Sequence, residues 1–186
     1  IRQSDALFNA LEDITGMPAP ERYVGQRGRL VDAYVDGHKY VSGLKAVVYG
    51  EEDLVAGLVG FLAEIGVKPL LAATGGKNPG FRRAVSQACD DLADAPEIAQ
   101  GVDFQDIAER ARELSPDIML GHSKGYAYAK EWDIPLVRVG FPIHDRFGGQ
   151  RVRTLGYQGT QALFDRIVNA VLAKRQADNP IGYGYL

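Results

Sequence analysis

From residue 45 onward, short continuous apolar runs alternate with stretches whose apolar residues recur every three or four positions. The runs KAVVY (45–49), KPLLAA (68–73), DIML (117–120) and PLVRV (135–139) are flanked by glycine, proline or polar residues. That is the pattern of strands covered on both faces. A weaker run near 98–102 adds a fifth. Between them the periodicity predicts helices over 54–65, 82–92, 104–114, 126–131 and 160–174, the first closed by Gly66 and the third capped by Asp103. Such alternation predicts an α/β fold: an open parallel sheet of four or five strands with helices on both faces, Rossmann-like or flavodoxin-like.

Two helices precede this pattern. Leu7, Leu11 and Ile14 fall on one face of a short helix with Ser4 as N-cap and Gly16 as its stop. Met17-Pro18-Ala19-Pro20 reads as a stiff linker, with Pro20 suited to the first helical position. A long amphipathic helix follows over 21–41, with Leu30, Val31, Tyr34, Val35 and Val41 at three- and four-residue steps. It contains Gly25 and Gly28, each costing about 1 kcal/mol against alanine in a helix interior. The pair either lets another backbone approach closely or marks a kink. The tail 178–186 (DNPIGYGYL) is too apolar and aromatic for a free terminus and is expected to dock. The expected organisation is therefore a helical segment 1–43, an α/β domain 44–175 and a docking tail 176–186. The first residue is Ile1 rather than Met, so a processed chain or a piece of a larger one is expected.

Composition narrows the function classes. Hydrophobic residues make up 46% of the 186, enough for a sizeable core. The formal net charge is −3 with no basic face or run, so nucleic acid is not an expected partner. No apolar run suits a bilayer and no signal peptide is visible, which makes a cytoplasmic protein without a membrane partner the expectation. The single cysteine, Cys89, excludes an internal disulfide and a cysteine-only metal site within this sequence; a small core residue on a helix is expected there.

Candidate chemistry concentrates after the last strand. The segment 134–159 carries His144, Asp145, Arg146, Arg151 and Arg153 in the loop where ligands and partners of α/β proteins are met. Gly121-His122-Ser123-Lys124-Gly125 matches G-x-S-x-G between a strand and a helix, the position of a hydrolase nucleophile elbow. Its partners are poor: the only downstream histidine is His144, and the only acids before it are Glu131 and Asp133. The plainer expectation is a tight glycine turn with Ser123 capping the next helix. The first strand ends in Gly50-Glu51-Glu52-Asp53, whose carboxylates would repel a pyrophosphate. The 74–80 loop (TGGKNPG), with Lys77, Arg82 and Arg83, is either an anion cradle or a flexible surface turn. His38, His122 and His144 lack metal-site spacing. Asp32 and Asp36 lie one turn apart: they form a solvated acidic face, or they share a hard cation whose oxygen shell a partner completes.

Three motifs together carry a family resemblance: Arg27-Gly28-Arg29-Leu30-Val31-Asp32 with Asp36 and His38; Val137-Arg138-Val139-Gly140-Phe141-Pro142-Ile143 with Asp145-Arg146; and Leu155-Gly156-Tyr157-Gln158-Gly159. In this order they resemble the C-terminal part of a β-type subunit of the nitrogenase component 1 family, over nearly the whole chain. The resemblance implies nitrogen-fixation-type oxidoreductase chemistry in an α/β heterotetramer. Its partners would be an α-type subunit, a second β-type subunit and an iron protein reductase. Iron–sulfur and metal–sulfur clusters would be held elsewhere in the complex, since Cys89 matches none of their ligands. Asp32 and Asp36 match a pair that contributes to a divalent metal site between two β-type subunits. The loop residues His122, Ser123, Lys124, Phe141, His144, Asp145 and Arg146 become interface or ligand-loop candidates. The Gly121–Gly125 turn departs from the asparagine-containing form associated with the standard members. A cofactor-assembly scaffold subunit is the alternative, and a hydrolase using Ser123 a remote one.

Overall fold

The computed structural model describes residues 1–90, 92 and 94–181. Five strands form one sheet: β1 (Lys45–Tyr49), β2 (Lys68–Thr74), β3 (Glu97–Gln100), β4 (Ile118–Gly121) and β5 (Leu136–Arg138). All pair in parallel, in the order β3-β2-β1-β4-β5. Of the two expected variants this is the Rossmann order, whose direction reverses between β1 and β4.

The helices are α1 (Arg2–Thr15), α2 (Glu21–Val41), α3 (Glu52–Glu64), α4 (Phe81–Ala88), α5 (Phe104–Leu114), α6 (Tyr126–Glu131) and α7 (Gly156–Asp178). Alternate residues of β1 feed two cores. Ala46 and Val48 join residues of α2, α3, α4 and α7, including Val41, Leu62, Val85 and Ile167. Val47 and Tyr49 join Ile107, Ala111 and Ala129 of α5 and α6 on the other face. A charge-rich helix such as α5 starts where its cap dictates: the Asp106 N–H donates to the Asp103 carboxylate at 3.0 Å, and the Asp103 N–H donates back to Asp106 at 3.2 Å.

The long helix α2 lies along α7, and Gly37 is what lets it do so. A Cβ there would sit 2.5 Å from Phe164 Cε1. The required close approach thus falls at Gly37, while Gly25 and Gly28 lie exposed. Pro20 is the N-cap of α2 rather than its first helical residue. The short α1 is held by one edge: Phe8 stacks on Tyr157 at 5.4 Å and packs on Tyr23 at 4.9 Å. Asp5 accepts from Arg27 Nη2 at 2.8 Å and from the Tyr157 hydroxyl at 2.7 Å. Its apolar stripe, Leu7, Leu11 and Ile14, is real but faces outward, and Ser4 makes no cap bond.

Two expectations at the C-terminal end change. The last helix begins at Gly156, before the expected 160, because Gly159 is helical: a Cβ there would lie 2.8 Å from the Thr154 carbonyl carbon. The docking expected of the tail falls mostly on 182–186, outside the described residues; Ile181 is exposed.

Candidate functional site

At the carboxyl ends of β1 and β4, where α/β sheets ordinarily admit ligands, a side chain fills the space. The buried Tyr49 ring reaches from β1 under the 121–125 turn and donates its hydroxyl proton to the His122 carbonyl at 2.7 Å. A Cβ on Gly121 or Gly125 would lie 2.4 Å from Tyr49 Cζ or 2.0 Å from its hydroxyl. These glycines therefore make room for an aromatic ring, rather than supplying left-handed backbone to a nucleophile elbow. The His122 ring meets Tyr49 edge-on at 4.9 Å and tilts against Phe104 at 5.6 Å. Burial, with the Lys124 charge, pushes its pKa down.

Ser123 neither caps α6 nor stands ready as a nucleophile. It is 4% exposed, and its hydroxyl donates to Asp145 Oδ1 at 2.5 Å while accepting the His144 backbone N–H at 3.1 Å. The Ser123 N–H donates to the Pro142 carbonyl at 3.1 Å. The contact with the His144 segment is through backbone, so no imidazole reaches the serine as a base would. Asp145 is the hub. Arg138 Nε and Nη2 donate to its carboxylate at 2.8 and 2.6 Å, and Arg146 Nη1 donates to its carbonyl at 2.6 Å. The Arg138 guanidinium above all, then the Ser123 hydroxyl, hold the Asp145 carboxyl well below the usual carboxylate range. The result ties the 141–146 loop to β5 and to the 121–125 turn. Lys124, His144, Arg146 and Phe141 remain exposed on its outside, and Phe147 is 100% exposed.

The 74–80 loop is neither a free anion cradle nor a loose turn. The Asn78 N–H donates to Glu52 Oε1 at 2.8 Å, Gly76 N–H to Thr74 Oγ1 at 3.1 Å, and Gly80 N–H to Asn78 Oδ1 at 2.8 Å. The anion at this loop is the chain's own Glu52 carboxylate.

Asp32 and Asp36 are both exposed on the outer side of α2, beside Val31 and the 74% exposed Val35. The aliphatic stripe expected beside them divides: Leu30 turns inward, and Tyr34 packs on Phe164 at 5.0 Å. Among the described residues no group of three or more His, Cys, Asp or Glu converges as a metal site. Cys89 is buried with its Sγ 3.1 Å from the Val85 carbonyl, and burial raises its thiol pKa.

The family model for nitrogenase component 1 type oxidoreductases matches residues 1–172. The chain belongs to that family. It is similar to the nitrogenase iron-iron protein β chain of Rhodobacter capsulatus, 35% identical over 95% of this chain and 39% of the relative. It is similar also to the nitrogenase molybdenum-iron protein β chain of Methanothermobacter thermautotrophicus, 34% identical over 92% of this chain and 38% of the relative. A solved structure of nitrogenase Cp1 at pH 6.5 superposes with a TM-score of 0.94 at 26% identity, over 100% of this chain and 41% of the other. The chain thus spans about two fifths of the curated relatives' length. None of its helices, among the described residues, is long and apolar enough to cross a membrane.

In this component 1 domain the site candidates form two groups rather than one. Ser123, Asp145 and the backbone of His144 meet at the sheet end; Asp32 and Asp36 stand alone on α2. Arg138, which enters the sequence reading only inside a family motif, does carry a signal: an arginine in the apolar run PLVRV is a strand cation that must find a counter-charge. Tyr49 carries no such signal, since it reads as one more apolar strand residue.

Proposed function

We propose that this chain is the C-terminal domain of a β-type subunit of a nitrogenase component 1-like oxidoreductase, and that its task there is to form subunit interfaces. The observation that carries this is the outer side of α1 and α2. Leu7, Leu11 and Ile14 of α1 and Val24, Val31 and Val35 of α2 are all exposed, as is Met17 in the linker between them. Gly25 and Gly28 lie on the same helix side, with no atom within 4 Å of a Cβ at Gly28. Exposed helix glycines cost stability and gain nothing from within the chain, which suits close approach by another backbone. The partners in this reading are an α-type subunit and a second β-type subunit, with an iron protein as reductant. Iron–sulfur and metal–sulfur clusters belong to the complete complex; this domain's buried Cys89 is unsuited to hold one.

Asp32 and Asp36 fit the hard-cation reading as a partial donor set. Both present exposed carboxylate oxygens one turn apart, and a calcium-like ion takes six to eight oxygens, so a second subunit has to complete the shell. The test is sedimentation of the full complex. Val35→Lys is expected to dissociate it, and Asp32→Asn with Asp36→Asn to loosen it and remove its response to chelator. Wild-type sedimentation by all variants would refute the interface reading.

A further inference from the structure

We propose that the cleft beside the edge strand β5 is a docking slot for a carboxylate on a partner subunit's polypeptide, received by Arg166 of α7. This rests on the subunit reading above and names one of its contacts. The cleft holds about 500 Å³ and is lined by Leu136, Arg138, Ile143, Arg146, Phe147 and Arg166, among others.

Arg166 Nη2 donates to the Arg138 carbonyl at 2.5 Å, whereas its Nη1 is buried and has no hydrogen-bond partner among the described residues. Guanidinium stays charged, and a sequestered charge facing only a neutral carbonyl is an incomplete arrangement. The carboxylate that pairs with Arg138 does not complete it. Asp145 already accepts from Arg138 and Ser123 and pairs with Arg146 at 3.6 Å. Two guanidiniums therefore already share that carboxylate, and Arg166 has no pairing with it. Burial, and after it the Arg138 charge, lowers the Arg166 pKa, as expected of a cation awaiting an anion.

The chemistry of the occupant follows from what is left over. One unpaired guanidinium nitrogen beside an apolar rim suits a carboxylate carried on a side chain better than a free, strongly hydrated phosphate. Around it the rim is apolar, with Phe147 fully exposed and Val152 partly so, and Arg146 adds a second cation. A polypeptide carrying Asp or Glu next to an aliphatic or aromatic residue matches both features, with the acid inside and the apolar group on Phe147.

The test uses the full complex. Arg166→Met is expected to raise its dissociation constant at least tenfold, while the melting temperature of the dissociated subunit stays level or rises, because an uncompensated charge has gone. Arg166→Lys, treated with a carbodiimide, places an amine in the slot that forms an amide with a carboxylate held there. Mass spectrometry is expected to find position 166 linked to Asp or Glu of the partner subunit. Unchanged affinity of Arg166→Met, or links confined to Asp145 or Asp165 of the same chain, would overturn the slot while wild-type assembly left the subunit reading standing. Failure of the wild-type protein to assemble would remove that reading and the slot together.

Discussion

On its inner side α2 sets Leu30, Gly37 and Val41 against α7 and the sheet; on its outer side it sets Gly25, Gly28, Val31, Asp32, Val35 and Asp36 against solvent. Both sides carry glycine and aliphatic residues, so the glycines alone do not tell one side from the other. Geometry does. The inner glycine has its reason inside the chain, since the Phe164 ring occupies the place of its side chain. The outer pair has no such reason within the domain. A glycine explained by its neighbours is a packing device, and one left unexplained in a regular helix points to a surface beyond the chain.

The largest effect is expected on the inner side. Phe164→Ala removes a ring that is 2% exposed and should cost about 3–5 kcal/mol, read from denaturant unfolding. Gly37→Ala should cost about 1–3 kcal/mol by overpacking, despite alanine's better helix propensity. A neutral Gly37→Ala would break the contrast between the two sides.

The loop hub should follow. Asp145→Asn leaves Arg138, itself only 8% exposed, without its counter-charge and should cost about 1–3 kcal/mol, less than a fully buried pair because the carboxylate is partly exposed. The pH dependence has a definite sign. The folded carboxyl titrates below its unfolded value, so as pH falls the unfolded chain takes up the proton first. The contribution of Asp145 is full above about pH 4 and drains away as pH falls toward the folded value. Chemical denaturation at pH 5 and pH 3 should show a smaller loss in Asp145→Asn than in the wild type.

The smallest effects, and the sharpest for the comparison, belong to the outer side. Gly25→Ala and Gly28→Ala should each stabilise the isolated chain, by up to about 1 kcal/mol, through helix propensity. In the assembled protein the same changes should weaken subunit association, seen as a faster exchange of labelled subunits. Stabilisation of chain and assembly alike would show that nothing approaches these glycines.

The periodicity of the chain carried α2, β1, α5 and α6 to their observed ends, because each is bounded by a strong local signal: Pro20, Gly50, Asp103, Gly125. The start of α7 is hidden by Gly159, which reads as the boundary before the helix and is instead a packing residue within it. The same ambiguity obscured the 121–125 turn. Its glycines and serine spell a nucleophile motif, yet Tyr49 and Asp145 explain them, and both lie more than twenty residues away in sequence. Contacts of that separation leave no mark on local pattern. The outward stripe of α1 fell to a related limit: amphipathicity reveals that a helix has an apolar side, not whose surface covers it.

Tyr49 has a consequence for how this domain becomes firm. Sheets of this order ordinarily leave a slot between the reversing strands for an exchangeable molecule, and their firmness then varies with supply of that molecule. Here the strut across the slot is covalently part of the chain. The strut is in place as soon as the chain folds, so the firmness of this end of the sheet does not depend on the supply of any small molecule.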